Sequence, residues 1–106
     1  MGITYKNKIP YLEEQNLVEI TNLIETPFYV YSQKNIIDTF LKLKKELNKD
    51  IYFSIKANSN QAIISLLNSL GAGTDVVSQE EMQRALIAGF SPKKIVFEGV
   101  GKSKAD

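Results

Sequence analysis

From Thr26 onward, apolar residues recur with two periods in turn, that of a strand and then that of a helix. Phe28-Tyr29-Val30-Tyr31 is aromatic and β-branched, which predicts a strand. Pro27 stands before it, where a strand tolerates a missing N–H. Ser32 follows as a helix cap, and Ile36, Phe40, Leu43 and Leu47 fall at helical spacing over 34–48. Ile51-Tyr52-Phe53-Ser54-Ile55 predicts a second strand that runs out at Lys56, with Asn58, Ser59 and Asn60 as turn and cap residues. A helix over 61–70 would place Ile63, Leu66, Leu67 and Leu70 on one face, and Gly71 and Gly73 suit its left-handed end. Asp75-Val76-Val77 predicts a third strand, within 74–77. Ser78 and Glu81 then form a capping-box pattern for a helix over 79–88, with Met82, Ala85 and Leu86 turned inward. Gly89 and Pro92 end that helix, and Ile95-Val96-Phe97 predicts a last strand within 94–97.

Strands alternating with helices across short loops imply parallel βα units, hence an α/β fold. Two architectures satisfy the pattern, a barrel and an open doubly wound sheet. Residues 1–25 show no such rhythm and read as a lead-in; the repeating units occupy 26–106.

Composition removes several kinds of chemistry. The chain has no histidine and no cysteine, so imidazole acid–base catalysis, Ser-His triads, thiolate metal sites and disulfides are excluded. A net charge of +1 makes no electrostatic case for nucleic acid or a membrane surface. No apolar run approaches the ~18 residues a membrane span requires. Met1 to Lys8 carry no apolar signal-peptide core, so a cytoplasmic protein is expected.

The strand that ends at Lys56 draws attention by its alternation. Ile51, Phe53 and Ile55 take one face, and Tyr52, Ser54 and Lys56 the other. In a βα barrel the apolar face would meet the outer helices, leaving Lys56 at the carboxyl end of an inward face, where barrel active sites are built. A lysine desolvated there is a candidate for Schiff-base chemistry. Spacing alone favours a solvated lysine at the edge of a half-buried strand.

The segment Tyr52-Phe53-Ser54-Ile55-Lys56-Ala57-Asn58-Ser59-Asn60 resembles the cofactor-lysine segment of the diaminopimelate decarboxylases, in the alanine-racemase-like family of pyridoxal-phosphate barrels. Further segments agree in order: Thr26 to Tyr31 with the entry strand, Leu70 to Ser78 with the next strand and its approach, and Arg84 to Phe90 and Lys94 to Ser103 beyond it. Alanine racemases carry a Tyr-Gly-His-Gly type of segment after the lysine, and ornithine-type decarboxylases favour Cys-Asn where Ala57-Asn58 stands here. The diaminopimelate branch is the better match, although Glu80 precedes Glu81 where the family usually has glycine.

The resemblance implies a partial (β/α)8 barrel of about three βα units, since a whole barrel takes ~200 residues or more. It implies pyridoxal 5'-phosphate as cofactor, held covalently by Lys56, with Asp75 at an acidic position near that lysine. Asp75 serves equally as a strand-start residue satisfying nearby backbone, and Ser78 reads as a helix cap rather than a catalytic group. The implied reaction is decarboxylation of meso-diaminopimelate to lysine, by an enzyme that is homodimeric at full length. The family's glycine-rich phosphate loop, the acid facing the pyridine nitrogen and the ring-stacking histidine lie further along its members. This chain is therefore expected to be an amino-terminal fragment, inactive alone and prone to self-association. Two other readings remain, a non-catalytic remnant and an ornithine- or arginine-type decarboxylase. Gly101-Lys102-Ser103 invites a nucleotide-binding P-loop, but that motif needs glycine where Val96 stands.

Overall fold

A computed structural model describes residues 2–98 and resolves the chain into two compact units, residues 1–43 and residues 44–106. The lead-in of the first unit is itself structured. Strands β1 (Thr4–Lys6), β2 (Ile9–Leu12) and β3 (Gln15–Asn16) form an antiparallel sheet in that order. Lys6 pairs with Ile9 and Leu12 with Gln15, so each hairpin turns in two residues. Such turns need positive φ at both central positions, and Asn7, Lys8, Glu13 and Glu14 adopt φ of 54°, 66°, 51° and 65°. These residues carry no glycine, which is why the hairpins were not visible in the sequence. A single helical turn, α1 (Leu17–Ile20), follows, with the Asn16 carboxamide oxygen accepting from the backbone N–H groups of Val18 and Glu19.

The strand expected over Phe28 to Tyr31 does not form. A strand persists only as a ladder, and this segment joins neither sheet; Tyr29 and Tyr31 stack on each other at 6.4 Å instead. Helix α2 (Gln33–Leu47) forms as expected, with the Ser32 hydroxyl accepting from the Asn35 N–H and the Glu13 carboxylate accepting from the Lys34 N–H. Of its apolar stripe Phe40 is buried, whereas Leu43 and Leu47 are exposed.

The second unit carries the expected βα alternation. Strands β4 (Tyr52–Ser54), β5 (Gly73–Val76) and β6 (Ile95–Phe97) form a parallel sheet in that order. Helix α3 (Gln61–Ser69) joins the first pair and α4 (Gln79–Ile87) the second. Tyr52, Phe53 and Ser54 pair with Gly73, Thr74 and Asp75, and Thr74, Asp75 and Val76 with Ile95, Val96 and Phe97. One face of the sheet meets the helices: Ile55, Ile64, Val76, Ala85 and Phe90 form a buried cluster, with Phe53, Met82, Ile95 and Phe97 packed against it. Thr74 is buried in the same layer, its hydroxyl donating to the Phe53 carbonyl at 2.7 Å.

Both helices end in the same way. Gly71 and Gly89 take φ of 92° and 99°, and the N–H groups of Ala72 and Phe90 reach back to the carbonyls of Leu67 and Ala85. The left-handed residue reverses the chain within two positions, so each helix feeds directly into the approach to the next strand. Gly73 serves a different need, since a Cβ there would meet the Tyr52 ring.

Candidate functional site

Parallel pairing brings the carboxyl ends of β4 and β5 side by side, and both candidate residues lie there. Asp75 stands opposite Ser54 in the ladder, on the face away from the helices. The Ser54 hydroxyl donates to Asp75 Oδ1 at 2.9 Å, and both residues are half-buried. Tyr52 and Val96, on the same face, are 41% and 43% exposed. The alternation read from the sequence therefore holds: the apolar face is covered by helices and the Tyr52–Ser54 face is open.

Lys56 differs from its expectation in local structure. The strand ends at Ser54, and Ile55–Ala57 forms a 3-10 turn closed by the Asn58 N–H on the Ile55 carbonyl at 3.0 Å. The turn arises because the chain must leave the sheet and enter α3 within a few residues. Ile55 is fully buried in the helix-facing core, whereas Lys56 is exposed. The desolvation expected around Lys56 is not supplied by the described residues.

The loop after Lys56 is held by hydrogen bonds that the sequence suggested in part. The Asn58 side chain accepts from the Asn60 N–H, and the Asn60 side chain from the N–H groups of Ala62 and Ile63. Two further links were not foreseen. The Arg84 guanidinium donates to the Ser59 carbonyl at 3.3 Å, and the Gln61 amide donates to the Arg84 carbonyl at 3.0 Å. They tie the loop to α4 across a sequence distance that no local pattern reports. Ser54 was missed as Asp75's partner for a related reason: alternation placed it on the right face, but only the strand register sets it opposite Asp75.

Ser78 is a cap, as read from the sequence. Its hydroxyl accepts from the Glu81 N–H at 3.1 Å, and the Glu81 carboxylate accepts from the Val77 N–H at 3.0 Å. The Gly101-Lys102-Ser103 segment lies outside the described residues. Among the described residues no cluster of three or more His, Cys, Asp or Glu could hold a metal ion, and no helix is long and apolar enough to cross a membrane. A cavity of about 380 Å³ in the first unit is lined by both signs of charge, Lys6 and Lys34 with Glu13 and Glu14.

Parallel strands joined by helical crossovers on one face define an α/β protein of the kind that builds βα barrels. Residues 33–106 match the pyridoxal-dependent decarboxylase, pyridoxal binding domain family, and the chain belongs to that family. It is 50% identical over 91 residues to a diaminopimelate decarboxylase of Helicobacter pylori, covering 83% of this chain and 22% of that protein. A diaminopimelate decarboxylase of Pseudomonas fluorescens is 40% identical over 108 residues, covering 99% and 26%. Among solved structures, a protein from Aquifex aeolicus superposes with a TM-score of 0.91 at 35% identity, covering 98% of this chain and 26% of that one. The Helicobacter pylori diaminopimelate decarboxylase complexed with L-lysine does so with a TM-score of 0.76 at 46% identity, covering 83% and 23%. The chain thus spans about a quarter of the length of these relatives.

The cofactor of this family is pyridoxal phosphate. The donor set fits the aldehyde end of that group: a primary amine exposed at a strand end, on a sheet face not occupied by the buried core, with a carboxylate on the neighbouring strand.

Proposed function

We propose that this chain is the amino-terminal part of a pyridoxal-phosphate-dependent diaminopimelate decarboxylase, which converts meso-diaminopimelate to L-lysine and CO2. In this reading residues 26–106 open the cofactor-binding barrel, residues 1–25 lead into it, and the whole enzyme is a cytoplasmic homodimer. What supports the reading is the 50% identity to a diaminopimelate decarboxylase over 91 residues, in a chain whose exposed Lys56 follows directly on the strand that pairs Ser54 with Asp75.

Bound pyridoxal phosphate supplies an electron sink for the pair left on the α-carbon when CO2 departs. Lys56 holds the cofactor through Nζ. Asp75 would offer negative charge to a cationic amine brought to this edge of the sheet, and its carboxylate is oriented by β5 and by the Ser54 hydroxyl. The 3-10 turn and the Asn58–Asn60 caps fix where Lys56 leaves the strand, and orientation of this kind is a large part of a site's catalytic power. The helix-covered face keeps water from the rear of the sheet.

The chain alone is expected to give no lysine from meso-diaminopimelate. Supplied in trans with the remaining three quarters of the Helicobacter pylori relative, it is expected to restore turnover, at least about tenfold in favour of meso-diaminopimelate over ornithine, as buried polar groups built for one substrate reject another. Lysine release and CO2 release measure the two activities. Restored turnover that prefers ornithine would overturn the substrate assignment and favour the ornithine-type reading.

A further inference from the structure

We infer that Arg84 and Gln61 are positioning residues that latch the loop carrying Lys56 onto α4, and so fix where the backbone of Lys56 leaves the sheet; this rests on the reading of Lys56 as the cofactor lysine. Two hydrogen bonds run in opposite directions between the same two segments. The Arg84 guanidinium donates to the Ser59 carbonyl at 3.3 Å, and the Gln61 side-chain amide donates to the Arg84 carbonyl at 3.0 Å. Arg84 stands on a fixed support, because its neighbour Ala85 is fully buried in the core cluster that also holds Ile55.

The loop has need of such a tie. Ile55 pins its start to the core, and the Asn60 side chain caps α3 at its end. Between them Lys56, Ala57 and Ser59 are exposed, beyond the end of β4 at Ser54. The Asn58 N–H on the Ile55 carbonyl and the Asn60 N–H on the Asn58 side chain give the loop its shape. Those bonds are internal and do not fasten that shape to a neighbouring element. Arg84 does so, from the helix that follows the adjacent strand. A guanidinium suits the task, since it stays charged and presents its donors in a rigid fork. Arg84 is exposed, so its removal opens no cavity in the core. Neither Arg84 nor Gln61 touches substrate or cofactor in this account; both act through the loop.

The first arm of the test is amide hydrogen exchange on the full chain without cofactor. Arg84→Met keeps a long helix-forming side chain but removes the donors, and Gln61→Ala cuts the link from the other side. Each is expected to speed exchange at Asn58, Asn60, Ala62 and Ile63 about threefold, the scale of one exposed hydrogen bond. The amides of Gly89 and Phe90, bonded to the carbonyls of Leu86 and Ala85 at the end of α4, are expected to keep their rates. Unchanged loop exchange in either variant, or an equal acceleration at Gly89 and Phe90, would overturn the proposal. The second arm assembles each variant in trans with the rest of the Helicobacter pylori relative and measures lysine release per Lys56 found to carry borohydride-reduced cofactor. That ratio is expected to fall about tenfold, because a displaced reacting group loses rate at sites that are still occupied. A merely structural role would lower the number of occupied sites and leave the turnover of each unchanged, and that result would sink the positioning role. Label on a different lysine in the unmodified assembly would overturn the reading of Lys56, and the positioning role with it, whatever the exchange rates.

Discussion

Gly73 illustrates how a single residue shapes the open face of the sheet. A Cβ at this position would clash with the Tyr52 ring, because the tyrosine on β4 folds across the glycine paired with it. Gly73→Ala must therefore displace the ring, and is expected to cost about 1–3 kcal/mol, the usual penalty for overpacking. Much of that loss should disappear in the double variant Gly73→Ala with Tyr52→Ser. Thermal unfolding of the four proteins measures it, and additive losses would mean that the ring is not the cause. At this scale the sequence was a good guide to identity and a weaker one to surroundings. The alternation located the open face of Tyr52 and Ser54, although the strand ends there and Lys56 lies in the 3-10 turn beyond it. It could not reveal the hydrogen bond to Asp75, which depends on a register set 21 residues away.

The elements of the second unit were legible because their signals are local. Asn60 and Ser78 cap α3 and α4, glycines close them, and the boundaries fall within a residue or so of those expected. Ser78→Ala is expected to destabilise the chain by about 1 kcal/mol through loss of the cap, with no loss of turnover in the reconstituted enzyme beyond what stability explains. Chemical denaturation and a lysine-release assay separate the two effects, and a large activity loss at unchanged stability would move Ser78 into the site. The failures at this scale have physical causes as well. Phe28 to Tyr31 has strand composition but finds no ladder, and β propensity expresses packing against neighbours rather than an intrinsic backbone preference. The hairpins of β1 to β3 turn on Asn7-Lys8 and Glu13-Glu14, where the usual glycine signal is absent.

For the whole molecule the decisive fact is proportion. One face of the parallel sheet is built into a core, and the other leaves Tyr52 and Val96 more than two-fifths exposed. The chain spans about a quarter of its relatives' length, and within it Lys56, the lysine proposed to hold the cofactor, follows the strand that pairs Ser54 with Asp75. The fold class was readable because βα alternation needs only short-range periodicity. Periodicity alone leaves barrel and open sheet open, because three parallel strands satisfy both; the resemblance of the lysine segment chose the barrel, and kinship with the decarboxylases agrees. The central claim is that Lys56 is the residue that binds pyridoxal phosphate. It is tested most directly by assembling the chain in trans with the rest of a relative, reducing with borohydride and mapping the label. The account predicts stoichiometric label on Lys56, lost together with turnover in Lys56→Ala. Turnover that survives Lys56→Ala, with the label on another lysine, would contradict it.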